Sequence, residues 1–236
     1  MFLGVDENWV VENISQEVQV VFLYCKTVED LVAIEKLMEA IRLQLPKVKI
    51  VLFENIQSVN SFSMKHIIED LFEQGCHVAI MGEPENRADQ VIEFIIQNKP
   101  LGTIPGIAFK NKEGGIEQTQ DAKFNRNLDE LPLPLWEKFP LNGYWDIGFA
   151  HAPVRKEKFL PILTSRGCPY RCTFCVAPEV NPKWRSRSAK NIADEMEYFY
   201  NNMGITDYHI SDFTPTVNDR HTQDICRELI ARKLPI

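Results

Sequence analysis

Residues 159–175 read Phe159-Leu160-Pro161-Ile162-Leu163-Thr164-Ser165-Arg166-Gly167-Cys168-Pro169-Tyr170-Arg171-Cys172-Thr173-Phe174-Cys175. The apolar start predicts a short strand, and the glycine and proline that follow predict a loop that carries three cysteines. Helical spacing of apolar residues over 189–203 then predicts a helix, and residues 208–211 predict a second strand. This order of strand, loop, helix and strand is typical of a parallel β/α unit.

The same alternation continues on the carboxyl side of this unit. Gly204 is the expected cap at the end of the first helix. Asn218 is the expected N-cap of a second helix over 219–232. The region 159–236 therefore predicts two successive β/α units.

Upstream, residues 1–122 show a separate alternation of strands and helices. Apolar runs at 20–23, 48–53 and 77–81 predict strands buried in a parallel sheet, with amphipathic helices between them. Residues 107–116 predict a hairpin that turns at Gly114-Gly115. This pattern favours an α/β domain with a Rossmann-like, doubly wound parallel sheet.

Residues 123–158 separate the two α/β regions. The periodicity disappears there, and Pro132 and Pro134 stand two residues apart, which opposes both a helix and a central strand. We therefore expect an extended connector.

Composition limits the class of protein. The chain has 236 residues, 44% apolar and 25% charged, with 11 Gly and 14 Pro, which excludes collagen-like and wholly disordered proteins. The formal net charge of −7 gives no general attraction to nucleic acid or to an anionic membrane, so we expect neither as a partner. The sequence shows no apolar run long enough to span a bilayer and no secretory leader, from which we expect a cytoplasmic protein.

The three loop cysteines form a C-x3-C-x2-C motif and are the candidate metal ligands: Cys168, Cys172 and Cys175. Clustered cysteines in a reducing compartment favour a metal or redox site over disulfides. Structural zinc normally takes four protein ligands, and no fourth Cys or His lies close in sequence. A four-iron cluster held by three thiolates instead leaves one iron open to an external ligand. The remaining cysteines, Cys25, Cys76 and Cys226, are expected in the core.

The motif, with Phe174 directly before its last cysteine, resembles the signature of the radical S-adenosylmethionine superfamily. The resemblance implies a [4Fe-4S] cluster on the three cysteines, S-adenosylmethionine as a second cofactor and Phe174 beside the adenine. It also implies a partial (β/α)6 barrel with the cluster loop after its first strand. Asp212, which follows the second strand, would contact the amino group of S-adenosylmethionine.

Landmarks outside the motif narrow the resemblance. The segments 82–85, 104–108, 128–134 and 184–188 are similar to those of radical enzymes with an N-terminal cobalamin-binding-type domain. The implied organisation is a cobalamin-binding-like domain at 1–122, a connector at 123–158 and the first part of the barrel at 159–236. Cobalamin is thus a candidate cofactor, although the chain has no D-x-H-x-x-G motif to provide a histidine ligand.

The resemblance implies an enzyme that cleaves S-adenosylmethionine reductively for C–H functionalisation of an organic substrate, by methyl transfer or oxidative cyclisation. Flavodoxin or ferredoxin is the expected type of electron donor. Because 159–236 has room for about two of six β/α units, the chain resembles the front part of a longer enzyme. The alternative is a non-catalytic cluster-binding fragment or partner subunit, which would associate with a complementary chain.

Overall fold

A computed structural model describes residues 5–25, 28–54, 62–148 and 158–235. The chain divides into two compact units, which are described separately. One comprises Gly4–Asn125 with Arg171–Asn181, and the other comprises Arg126–Tyr170 with Pro182–Ile236.

The first unit is built on a mixed five-stranded sheet in the order β1-β2-β3-β4-β5. The first three strands are parallel, with Phe22 opposite Val51, and β4 and β5 form an antiparallel hairpin at one edge. The strands of this unit are β1 (Val20–Tyr24), β2 (Lys49–Phe53), β3 (Val78–Ile80), β4 (Ile107–Lys110) and β5 (Ile116–Gln118). Its helices are α1 (Glu7–Glu12), α2 (Val28–Gln44), α3 (Ile68–Glu73), α4 (Ala88–Ile96) and, in the cysteine segment, α6 (Ala177–Val180).

Apolar residues cover both faces of this sheet. In β2, Ile50 and Leu52 pack into a core with residues of α1, α2 and α3, whereas Val51 and Phe53 pack into a second core with residues of α4. This follows from the alternation of side chains along a strand. The predicted α/β class is confirmed, with the parallel strands confined to β1–β3 and the predicted hairpin completing the sheet.

The second unit contains two parallel strands, β6 (Phe159–Ile162) and β9 (Asp207–Ile210), which pair along their whole length. A short antiparallel pair joins β7 (Ser165–Arg166), which follows β6 directly in the chain, to β8 (Arg185–Ser186), which follows the cysteine loop. The helices of this unit are α5 (Leu141–Ile147), α7 (Ala189–Met203) and α8 (Asp219–Arg232). The order β6-α7-β9-α8 matches the two predicted β/α units.

The caps of α7 and α8 are those predicted. Gly204 ends α7 with φ +70°, and the Asn218 side chain accepts a hydrogen bond from the His221 amide at the start of α8. Ile192 and Met196 of α7 and Ile225 of α8 pack with Ile162, which places β6 beneath both helices.

The predicted extended connector is wrong over Leu141–Ile147, where α5 forms. Pro140 stands at the N-cap of α5, where a missing amide hydrogen does not interrupt the helix. Leu141 and Trp145 pack against the core around Leu160. Residues 149–157 of that connector lie outside the described residues, and the predicted boundaries near 122 and 158 stay predictions. Within the described ranges, no helix is long and apolar enough to cross a membrane.

Candidate metal centre

The cysteine loop begins at the carboxyl end of β6. Gly167 precedes the first cysteine with φ +79°, a conformation that a side chain would strain. The Cys175 amide donates to the Cys172 carbonyl at 3.1 Å, which closes a turn between the last two cysteines. The Sγ of Cys175 then accepts a hydrogen bond from the Ala177 amide at 3.4 Å. Hydrogen bonds of this type to sulfur tune iron–sulfur centres.

The loop thiols differ in accessibility from Cys25 and Cys76 of the first unit. Cys172 is exposed, and Cys168 and Cys175 are half-buried. Cys25 and Cys76 are buried, and burial raises the pKa of each thiol to about 12. Since the thiolate is the metal-binding form, the loop holds the thiols that are suited to ligation.

The core assignment is confirmed for Cys25 and Cys76 but wrong for Cys226, which is exposed. Cys226 follows Ile225 on α8, and it is Ile225 that packs into the core.

The donor set of the loop fits an iron–sulfur cluster. Three accessible thiols within eight residues are the soft ligands that iron–sulfur clusters use. Among the described residues, no group of three or more His, Cys, Asp or Glu side chains is arranged to bind a metal ion. Metal sites commonly take their final form on binding, because the ligand bonds contribute to folding.

Phe174 lies between the last two cysteines and is 87% exposed. An aromatic ring that no core element covers is available to stack on a planar ligand, as the sequence predicted for this residue. The described structure leaves its position beside adenine a prediction.

Asp212 lies just beyond β9, where the sequence predicted a cofactor contact. Its carboxylate accepts hydrogen bonds from the Thr164 amide at 2.7 Å, the Thr164 hydroxyl at 2.5 Å and the Ser165 hydroxyl at 2.6 Å. Thr164 and Ser165 are buried, and neither was singled out from the sequence. Asp212 therefore connects the end of β9 to the end of β6.

Arg187 also binds the segment that follows β6. Its Nη1 donates to the Leu163 carbonyl at 2.9 Å, and its Nη2 pairs with buried Glu195 at 2.5 Å. Burial raises the pKa of the Glu195 carboxyl, and the charge of Arg187 offsets part of that rise. The sequence could have indicated this pair, because Glu195 stands on the apolar face of α7 and a buried carboxylate needs a partner.

In the first unit, Arg87 joins two of the sequence landmarks. Its guanidinium is buried and donates to the carbonyls of Met81 and Glu83 and to those of Pro105 and Gly106. The segments 82–85 and 104–108 are therefore held together by backbone contacts. Arg87 itself was not predicted from the sequence.

Glu54 closes the carboxyl edge of the same sheet. It follows β2, is 3% exposed, and accepts the amides of Met64 at 2.7 Å and Gly82 at 2.9 Å. Burial raises the pKa of the Glu54 carboxyl, and the two amide hydrogen bonds oppose that rise.

Comparison with known proteins finds a family match in the carboxyl-terminal part of the chain. Residues 162–236, which include the whole cysteine loop, match the radical SAM superfamily. An uncharacterized methyltransferase of Pyrococcus horikoshii is 26% identical over 147 residues, which are 62% of this chain and 30% of the relative. An anaerobic magnesium-protoporphyrin IX monomethyl ester cyclase of Synechocystis sp. is 31% identical over 157 residues, 66% of this chain and 30% of the relative. The chain thus spans less than a third of the length of these relatives.

Two solved structures share the fold. The cobalamin-dependent S-adenosylmethionine radical enzyme OxsB has a TM-score of 0.71 at 18% identity, over 98% of this chain and 31% of that one. The radical S-adenosylmethionine methyltransferase TsrM from Kitasatospora setae has a TM-score of 0.67 at 18% identity, over 96% and 42%. The cysteine loop lies inside the region that matches the radical SAM superfamily, and both α/β parts of the chain are reproduced in these two folds.

Proposed function

We propose that the chain binds a [4Fe-4S] cluster through Cys168, Cys172 and Cys175 and uses it with S-adenosylmethionine for C–H functionalisation of an organic substrate. The observation that carries the proposal is the set of three accessible thiols in the loop after β6, inside the region that matches the superfamily. When bound, the cluster supplies one electron that cleaves S-adenosylmethionine to methionine and a 5′-deoxyadenosyl radical.

The residues of the chain have distinct roles in this proposal. The three thiolates bind three of the four irons, so that one iron remains for the external cofactor. The ring of Phe174, which is exposed, would lie beside the adenine. Asp212 and Arg187 hold the end of β6, from which the loop starts.

The relatives support a class of reaction rather than one reaction subtype. Those that match are named as methyltransferases and as a cyclase, so methyl transfer and oxidative cyclisation both remain within the proposal. The electron comes from a donor of the flavodoxin or ferredoxin type.

We also propose residues 1–122 as a cobalamin-binding-type domain, followed by the connector at 123–158 and the barrel part at 159–236. The fold likeness to two enzymes, of which OxsB is a cobalamin-dependent enzyme, supports this organisation. His77, which directly precedes β3, accepts the Ile50 amide with its Nδ1 at 3.1 Å. Because the chain has no D-x-H-x-x-G motif, the proposed mode of cobalamin binding uses no histidine ligand from such a motif.

The test is anaerobic reconstitution of the full chain with iron and sulfide, followed by a reductant and S-adenosylmethionine. We expect about four iron per chain and release of 5′-deoxyadenosine. Cys172→Ala should lose the stable cluster, and Cys226→Ala, which removes an exposed cysteine outside the loop, should retain it.

Wild-type iron content in Cys172→Ala would refute the ligand assignment. A cluster that forms without release of 5′-deoxyadenosine would favour the alternative function, a cluster-binding partner of a complementary chain. Circular dichroism of both variants shows whether the first unit stays folded.

A further inference from the structure

The start of the cysteine loop is held by side chains from two other elements. Residues 163–165, the loop root, lie between the end of β6 and Cys168. Thr164 and Ser165 are 1% and 2% exposed, so their polar groups need partners within the protein.

Asp212 supplies most of those partners. One carboxylate oxygen accepts the Thr164 amide at 2.7 Å, and the other accepts the hydroxyls of Thr164 at 2.5 Å and Ser165 at 2.6 Å. These lengths are typical of charge-assisted hydrogen bonds. A carboxylate offers about four acceptor positions, of which three are filled here.

Arg187 completes the arrangement on the carbonyl side. The Thr164 carbonyl accepts the Arg187 amide at 3.0 Å, and the Leu163 carbonyl accepts its Nη1 at 2.9 Å. The amide, hydroxyl and carbonyl of Thr164 are therefore all hydrogen-bonded. These bonds fix the backbone conformation of the loop root.

The turn that carries Asp212 also reaches the first cysteine. Thr214 Oγ1 lies 3.5 Å from the Sγ of Cys168. The turn after β9 thus contacts the loop at its root and at its first thiol.

We propose that Asp212 is a positioning residue that fixes the loop root and so places Cys168, and that its carboxylate is not the contact for the amino group of S-adenosylmethionine. The part of this inference that concerns the cluster rests on the proposed function. Three short hydrogen bonds from buried donors occupy the carboxylate before any cofactor binds.

The first test uses the cluster-free chain, so that it does not depend on iron. Asp212→Asn replaces one acceptor oxygen with a donor, and amide exchange of the peptide that contains Thr164 should become about ten- to a hundredfold faster. Asp219→Asn, which removes an exposed carboxylate at the start of α8, is the matched control and should leave that exchange unchanged. Equal exchange in both variants would overturn the proposal.

The second test separates positioning from cofactor contact. The double variant Thr164→Val, Ser165→Ala keeps the Asp212 carboxylate but removes both hydroxyl donors. We expect this double variant to lose cluster iron to a chelator faster than wild type, to the same extent as Asp212→Asn. Combining Asp212→Asn with the two hydroxyl changes should not increase the rate of iron loss further. The affinity of the loaded chains for S-adenosylmethionine should stay within about threefold of wild type.

A large loss of S-adenosylmethionine affinity in Asp212→Asn but not in the double variant would assign the carboxylate to the cofactor and overturn the proposal. If the wild-type chain takes up no iron, the proposed function fails, and the exchange comparison still decides the role of Asp212.

Discussion

Gly106→Ala should destabilise the first unit far more than an equivalent change at another glycine. Gly106 has φ +69°, and an added Cβ would overlap Nη1 of Arg87 and lie 2.7 Å from Cβ of Ala122. The Ala122 contact is rigid, and the guanidinium cannot move freely because it is buried and bonded to four carbonyls. Something in the packed structure must therefore shift.

The magnitude follows from three contributions. A non-glycine residue at positive φ costs about 1 kcal/mol. Overpacking and the loss of one hydrogen bond from the charged Arg87 add about 2–4 kcal/mol. The expected total of about 3–5 kcal/mol is a large part of the stability of a typical domain.

Gly114→Ala is the matched control, because Gly114 also has positive φ, at +86°, but nothing within 4 Å of the added Cβ. Gly114→Ala should lower the free energy of unfolding only by the cost of a non-glycine residue at positive φ, about 1 kcal/mol. Urea unfolding of both variants and of wild type, followed by circular dichroism, measures the difference. If Gly106→Ala is within about 1 kcal/mol of Gly114→Ala, the reasoning about Arg87 is wrong.

Three further predictions concern charge and cysteine chemistry. Burial and two nearby lysines lower the pKa of His77 from 6.5 to about 4. Below pH 6.5 the unfolded chain therefore binds a proton that the folded chain does not bind until about pH 4. The contribution of His77 to the free energy of unfolding should be full above pH 6.5 and fall as the pH is lowered towards 4. Urea midpoints across that range should fall less steeply in His77→Gln, and parallel profiles would contradict this. Glu195→Gln leaves the buried charge of Arg187 without its counter-ion and should cost about 3 kcal/mol in urea unfolding, whereas a loss below about 1 kcal/mol would count against the pair. Iodoacetamide at neutral pH should label the loop cysteines in the native, cluster-free chain but Cys25 and Cys76 only after unfolding; mass spectrometry of timed samples would expose early labelling of either.

The sequence predicts the regular elements well because periodicity and caps are local signals. The helix α7 ends at Gly204, and α8 starts directly after Asn218, as expected from the residues alone. Both predicted parallel regions and the hairpin are present. These elements need no knowledge of distant residues.

The sequence does not predict elements that depend on distant contacts. The helix α5 has seven residues, too few to be stable alone, and it forms where Leu141 and Trp145 pack against the core at Leu160. The acceptors of Arg87 are backbone carbonyls, which leave no mark in the sequence. Likewise, Asp212 was found by its position after a strand, but its partners Thr164 and Ser165 lie almost fifty residues away.

The burial of Glu54 has a consequence for how β2 is aligned with its neighbours. Ile50 and Leu52 face one core and Val51 and Phe53 the other, so a slip of one residue would exchange two apolar sets. Burial of hydrophobic surface therefore discriminates only weakly between the two alignments. A slip would, however, take the Glu54 carboxylate away from the amides of Met64 and Gly82. An unpaired buried carboxylate costs at least about 2 kcal/mol, so one polar residue selects the register of a strand whose apolar residues do not.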